Sequence, residues 1–367
     1  MVKVMVIFGT RPEAIKMAPI VKELKTRKEI ECIVCVTAQH REMLDQVLNV
    51  FNITPEYDLD IMKKGQTLSD ITSRVLIGLE DVIKKEKPNV ILVHGDTTTT
   101  LAGALAAFYN QVKIGHVEAG LRTWNLQSPF PEEANRCMVD CITDFYFAPT
   151  EKSKQNLLKE GKDELKIYVT GNSAIDALNT TINENYTHPI FEWLGDSKLI
   201  LLTAHRRENL GEPMYNMFKA IKRVVEENND IKVIYPVHLN PIVRKIANDV
   251  FENNDRIKLI EPLDVIDFHN FLNRAYIILT DSGGIQEEAP HLGKPVLVLR
   301  NTTERPEGIE AGTLKLATTE ENKIYNLLTE LLKNKSEYDK MSKAVNPYGT
   351  GDTSKQIADI ILKELDK

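Results

Sequence analysis

VKVMVIFGTRPEAIKMAPIVKELKTRKEIECIVCVTA, residues 2–38, decides the fold. A β-branched apolar run, Val2–Gly9, gives way to a stretch with helical apolar spacing, Pro12–Lys28. A second apolar run, Glu31–Ala38, follows. Strand, amphipathic helix, strand is a βαβ unit, whose two strands lie parallel in one sheet. The alternation continues along the chain. NVILVHGD, VKIGHVEA, FYFAPT and KIYVTG read as strands of the first half. SKLILLTAH, IKVIYPVH, RIKLIEP, AYIILTDS and KPVLVLR read as strands of the second. Helical stretches such as TLSDITSRVLIGLEDVIKKE and PMYNMFKAIKRVVEEN lie between them, and a polar interval around 179–197 separates the halves. At 367 residues the chain exceeds one ordinary core. The expectation is α/β: two doubly wound parallel-sheet domains with a cleft between them.

Composition narrows the function. A 42% hydrophobic and 27% charged chain is soluble and globular. A net charge of −7 argues against a nucleic-acid partner held by phosphate neutralisation, while leaving room for a local basic pocket. No apolar run reaches the roughly 18 residues of a membrane span. The N-terminus lacks a basic segment followed by a small-residue cleavage site. The expected location is cytoplasmic, with no membrane partner. Cys32-x-x-Cys35 and Cys137-x-x-x-Cys141 have zinc-like spacing, but residues three apart on a strand face opposite sides, so core thiols are expected and no metal site. Only one glycine of a GxGxxG is present after the first strand, which disfavours a nicotinamide cofactor. Asp58-Leu-Asp60 resembles a metal-binding Asp-x-Asp but reads as solvated loop, with no strand before it.

Ligands of open parallel sheets bind outside the carboxyl ends of the strands. Nearly every strand here ends in ionisable groups or glycine. Gly9-Thr10-Arg11-Pro12-Glu13 opens a helix whose N–H groups, with Arg11 and Lys16, suit an anion. A capped turn with a solvated Arg is the plainer alternative. Asp281-Ser282-Gly283-Gly284 opens another helix, where two glycines let phosphate oxygens approach the N–H groups and Glu288 can accept from a ribose hydroxyl. His205-Arg206-Arg207-Glu208 offers two cations and an imidazole to a departing phosphate. Asp96 and Glu118 end successive strands, and Glu132 starts the next helix. Paired carboxylates suit proton transfer, one ionised as base and one protonated as acid. Ion pairs with Arg122 and Arg136 are the structural alternative.

Together these motifs resemble the non-hydrolysing UDP-N-acetylglucosamine 2-epimerases. The resemblance runs in order through Gly9-Thr-Arg-Pro-Glu-Ala-Ile-Lys16, Gln39-His-Arg41, His94-Gly-Asp-Thr97, His116-Val-Glu-Ala-Gly-Leu-Arg-Thr123, Pro131-Glu-Glu-Ala-Asn-Arg136, His205-Arg-Arg-Glu208 and Asp281-Ser-Gly-Gly-Ile-Gln-Glu-Glu-Ala-Pro290, most of the chain. It implies the GT-B architecture: a Rossmann-like domain over 1–172 with 352–367 and a second over 173–351, the helix 352–366 crossing back. It implies interconversion of UDP-GlcNAc and UDP-ManNAc by anti elimination of UDP to 2-acetamidoglucal and re-addition. Asp96, Glu118, Glu132 and His205 match catalytic positions. Arg11, Lys16, Arg136, Arg206, Ser282, Gly283, Gly284 and Glu288 match substrate contacts. The resemblance also implies a regulatory second UDP-GlcNAc, to which Gln39, Arg74, Arg207 and His238 are assigned. Glu42 departs from that pattern, since some relatives carry a second Gln there. No metal or redox cofactor is implied, and a homodimer is.

Three rival readings share these motifs. A hydrolysing epimerase would release ManNAc and UDP. A GT-B glycosyltransferase would need an acceptor groove. A sensor would bind the sugar nucleotide and leave it unchanged, and would not need three acids.

Overall fold

The structure, a computed structural model, describes residues 1–365. It divides into two units: Met1–Thr180 together with the chain from Tyr348, and Thr181–Pro347.

The first unit holds β1 (Val2–Phe8), β2 (Ile30–Val36), β3 (Tyr57–Asp58), β4 (Val90–His94), β5 (Lys113–Val117), β6 (Phe145–Ala148) and β7 (Ile167–Val169). They form one parallel sheet in the order β3-β2-β1-β4-β5-β6-β7. The βαβ reading of residues 2–38 holds: β1 and β2 pair in register from Val2 with Ile30 to Phe8 with Val36, joined by the helix Arg11–Thr26. Successive side chains of a strand face opposite sides. Met5 and Ile7 pack with Val75 and Leu79 of the helix Leu68–Glu86 and with Ala102 of the helix Thr98–Tyr109. Val4, Val6 and Phe8 are equally buried and belong to the opposite face. Burial on both faces is why these strands read as nearly continuous apolar runs.

The second unit holds β8 (Lys198–Thr203), β9 (Ile231–Pro236), β10 (Ile257–Ile260), β11 (Ile277–Thr280), β12 (Val296–Val298) and β13 (Leu314–Leu316), parallel in the order β10-β9-β8-β11-β12-β13. Its two faces form separate cores. Ile200, Leu202, Val233 and Leu279 pack with the helix Glu212–Glu227, and Leu199, Leu201, Ile278 and Val296 pack with the helix Val265–Arg274.

Four expectations are corrected. The first concerns the boundaries at 172/173 and 351/352, which move to 180/181 and 347/348. The cause is the helix Ser173–Thr181, tied to the first unit where Asp176 accepts the N–H of Ser354 at 2.7 Å and Asn179 donates to the Gly351 carbonyl at 3.1 Å. The returning helix spans Thr353–Leu365 and packs on Arg11–Thr26, with Arg27 on Asp359 at 2.9 Å; Asp366 lies outside the described residues. The second concerns the interval 179–197, which is not simply polar: Ile190 and Leu194, one helical turn apart, bury a short helix in the second unit's core. The third concerns β3 and β13, edge strands too short to show alternation. Asp58 thus belongs to a strand and accepts from Arg41 at 2.6 Å. The fourth concerns the thiols: Cys35 is buried, Cys32 and Cys137 half-buried, and Cys141 exposed. Among the described residues no group of three His, Cys, Asp or Glu side chains is arranged for a metal ion, and no helix is long and apolar enough to cross a membrane.

Candidate active site

In both sheets the strand order reverses at one point, between β1 and β4 in the first unit and between β8 and β11 in the second. Loops leaving the strands there diverge and leave the carboxyl edge open, where ligands of such sheets bind. The motifs of interest leave from these strands and their neighbours.

In the first unit the turn after β1 is fixed by Glu13. Its carboxylate accepts the N–H groups of Gly9 at 3.1 Å and Thr10 at 2.8 Å, forming a capping box. Its other oxygen accepts the hydroxyls of Thr97 at 2.7 Å and Thr100 at 3.1 Å, beyond β4. Burial pushes the Glu13 carboxyl up despite these bonds. Gly9 is obligatory here, because a Cβ would lie 1.9 Å from the Thr37 hydroxyl. The turn is therefore stitched to the loop that carries Asp96. Arg11 starts the helix, half-buried and with no carboxylate at ion-pair distance among the described residues.

Asp96 and Glu118 follow neighbouring strands, with His94 of β4 registered on Val117 of β5. Glu118 adopts φ +66°, a left-handed conformation that costs a non-glycine residue about 1 kcal/mol or more. The kink turns its carboxylate over Gly95, where Oε1 lies 3.7 Å from the place of a Cβ. Lys16 forms an ion pair with Oε2, Asn172 donates to the same oxygen at 2.8 Å, and His94 Nε2 stands 3.7 Å away. Burial drives the His94 imidazole down to about 3, so it is neutral near pH 7. Asp96 pairs with Arg136, whose Nη1 also donates to the buried Glu133 at 3.0 Å. Asn135 donates to the Asp96 carbonyl at 2.8 Å. Glu132 starts the helix Glu132–Ile142, with Oε2 buried and lacking a hydrogen-bond partner among the described residues. Lys16, Asp96, Glu118 and Arg136 thus meet at the carboxyl edge of β4 and β5, with Glu132 beginning the helix that carries Arg136.

Arg122 does not serve these acids. Its guanidinium is wholly buried between Asp140 at 2.6 Å and Glu160 at 2.7 Å. Burial favours the neutral form of Asp140, but the adjacent His116 and Arg122 outweigh it and hold the carboxyl below its ordinary value. His116 bridges Asp140 at 2.6 Å and the Gly95 carbonyl at 2.7 Å, fixing the backbone just before Asp96.

In the second unit Asp281 organises the edge of β8 and β11. It accepts the N–H groups of His205 at 2.9 Å and Arg206 at 2.8 Å and the Asn209 amide at 3.1 Å. Burial lowers His205 below its ordinary value, against the pull of Asp281; its ring stacks on His238, centroids 5.4 Å apart. Ser282 occupies the N-cap position of the helix Gly283–His291 without a side-chain capping hydrogen bond. The nearest groups to a Cβ at Gly283 would be guanidinium nitrogens of Arg206 and Arg305, each at 4.0 Å. Arg305 is ion-paired with the buried Glu287, so Arg206 is the more available cation beside this helix N-terminus, a place that suits an anion. Glu288 lies one turn on, its Oε2 3.8 Å from His269 Nε2.

Of the residues expected at a regulatory site, Gln39 and Arg74 are joined through Gln66, which donates to the Gln39 carbonyl at 3.4 Å and accepts from Arg74 at 3.1 Å. Arg207 and His238 are exposed on the second unit. Sequence reasoning missed Asn172, Glu133 and Arg305. Glu133 adjoins a chosen glutamate; Asn172 and Arg305 lie outside the quoted strand-end motifs, so nothing local marked them.

The profile of the UDP-N-acetylglucosamine 2-epimerase family matches residues 22–362. A Bacillus subtilis UDP-N-acetylglucosamine 2-epimerase is 63% identical over 360 residues, covering 98% of this chain and 95% of its own. The S. aureus MnaA structure with UDP is 55% identical with TM-score 0.91, covering 100% of this chain and 97% of its own. The Neisseria meningitidis UDP-GlcNAc 2-epimerase bound to UDP-GlcNAc is 49% identical with TM-score 0.88, covering 98% and 100%. The fold is that of these structures: two Rossmann-like parallel-sheet units of the GT-B class.

Proposed function

The chain belongs to the UDP-N-acetylglucosamine 2-epimerase family, and from that premise we propose that it interconverts UDP-GlcNAc and UDP-ManNAc without net hydrolysis. The observation that carries the reading is the division of chemistry between the two strand edges. The first unit supplies carboxylates with dedicated donors, Glu118 with Lys16 and Asn172, and Asp96 with Arg136. The second supplies the Ser282-Gly283-Gly284 helix start flanked by Arg206 and Arg305, beside His205.

The C2–H of a sugar is a very weak acid, so its removal must be coupled to departure of the anomeric diphosphate. A carboxylate takes the C2 proton, the C–H electron pair becomes the C1=C2 bond of 2-acetamidoglucal, and the C1–O pair leaves with UDP. The second-unit cations stabilise the charge on the departing diphosphate. Delivery of a solvent-exchangeable proton from a second carboxylate to the opposite face of C2, with UDP re-adding at C1, gives the other epimer. Carboxylates on both sides of C2 are needed; we assign Asp96, Glu118 and Glu132 to these roles, and Arg11, Lys16 and His205 to the diphosphate. Gln39, Arg74, Arg207 and His238 form the regulatory layer.

The reaction occurs in the cytoplasm, where sugar nucleotides are held, and the enzyme acts as a homodimer. Ile77, Phe108, Tyr109 and Met138 support the dimer: they are exposed apolar side chains on three successive helices of the first unit.

Proton NMR of UDP-GlcNAc with the purified protein in D2O tests the reading. UDP-ManNAc with deuterium at C2 of both epimers is the expected result. Accumulation of free ManNAc with UDP would move the chain to the hydrolysing type. An unchanged spectrum from either epimer would overturn both.

A further inference from the structure

We propose that Asn172 is a positioning residue for this reaction, holding Glu118 as an oriented carboxylate; the inference rests on the reading of Glu118 as a proton-transfer group. Asn172 is buried between the end of β7 and the helix Ser173–Thr181. Its Oδ1 accepts the N–H of Ala174 at 3.0 Å, as a helix N-cap does. That bond settles which end of the amide faces which way. Nδ2 therefore points at Glu118 Oε2, and an NH2 group can only donate.

The ammonium of Lys16, on the same oxygen, also only donates. A proton on that oxygen would face two donors, so both neighbours select the ionised form. Among the titratable groups facing the carboxylate are Lys16, from the helix Arg11–Thr26, and His94, at the end of β4. His116, on the glutamate's own strand, is turned to Asp140 and the Gly95 carbonyl.

The amide is also anchored from behind. The Asn172 N–H donates to the Tyr348 carbonyl at 2.7 Å. Gly171 packs so closely on the returning chain that a Cβ would lie 2.9 Å from the Thr353 hydroxyl and 3.1 Å from Gly349 Cα. Lys16 has four flexible methylenes; Asn172 has one short arm on clamped backbone. The lysine supplies charge, and the asparagine supplies direction.

N172D separates this role from folding. Aspartate keeps the cap to Ala174, since Asp and Asn cap equally well, but puts a carboxylate oxygen against Glu118. Like charges raise a carboxylate's affinity for protons. The acidic limb of the kcat–pH profile should move to higher pH by about one unit or more. N172S keeps a capping hydroxyl but cannot reach Glu118. It should lose about tenfold in kcat with KM nearly unchanged. E118Q is run beside them, with C2 deuterium exchange as readout.

E118Q inactive, with N172D shifted and N172S split in this way at wild-type thermal midpoints, supports the proposal. E118Q inactive while N172D gives the wild-type pH profile, or while N172S changes KM and kcat together, overturns it. Wild-type exchange in E118Q would overturn the reading of Glu118 itself, and this inference with it.

Discussion

His94 gives the structure a measurable acid sensitivity. It is buried at the end of β4, and burial lowers its imidazole from 6.5 to about 3, against the pull of Glu118. Between those two values the unfolded chain carries one proton that the folded chain does not. Stability therefore falls as pH falls, by about 1.4 kcal/mol per unit once below the unfolded value. Integrated from about pH 7.5 to about pH 4.5, His94 alone removes roughly 2.5 kcal/mol. The perturbation is His94→Gln, which has no proton to take up.

Urea unfolding of both proteins at the two pH values, followed by circular dichroism, gives four free energies. The other titrating groups are common to both chains and cancel in the difference of differences. The wild type should lose about 2.5 kcal/mol more than the variant over this range. Parallel losses would show that His94 is not held neutral. The chemistry depends on the same fact. A protonated His94, 3.7 Å from Glu118, would compete with Lys16 for the carboxylate.

Arg136→Met leaves the fully buried Glu133 without its cation and frees Asp96, so it should cost on the order of 3 kcal/mol by thermal unfolding and abolish C2 exchange, with Arg136→Lys recovering part of the stability. Gly120 has φ +85° and a Cβ there would stand 2.3 Å from the Ser153 carbonyl oxygen; Gly120→Ala should cost about 2 kcal/mol or more, read as a fall in thermal midpoint. Asp140 is held below its ordinary value despite burial, so its contribution is full above the unfolded pKa of about 3.8 and is lost as pH falls through the lower folded value. Arg122→Met removes part of that hold and should move acid unfolding to higher pH, by circular dichroism.

Much of the fold is legible because parallel strands buried on two faces must be apolar throughout, and the helices between them apolar on one side. That rule finds eleven strands and loses β3 and β13, whose two and three residues carry no period. It also misplaces the boundary after β7. Nothing local says that Ser173–Thr181 stays with the first unit, because its ties run to Gly351 and Ser354 at the far end of the chain. The site divides in the same way. Asp96, Glu118, Ser282 and Gly283 announce themselves by ending strands or opening helices. Asn172 and Arg305 do not, since their importance comes from partners 54 and 18 residues away in sequence, a separation no spacing rule spans.

A chain of net charge −7 must reserve cations at any site that receives an anion. Several carboxylates at the first unit's strand edge are held by cations. Glu118 is paired with Lys16, and Asp96 and Glu133 share Arg136. Deeper in, Asp140 is held by His116 and Arg122. Lys16 offsets the charge of Glu118, while Arg136 is divided between two carboxylates. Arg11 and Arg206, by contrast, have no carboxylate at ion-pair distance among the described residues. Among the described residues the Arg206 guanidinium donates, through Nε, to the Asp281 carbonyl at 3.2 Å, leaving its terminal nitrogens for an incoming group. Arg11 and Arg206 thus stand at the two strand edges without a carboxylate partner among the described residues, each available to an anion.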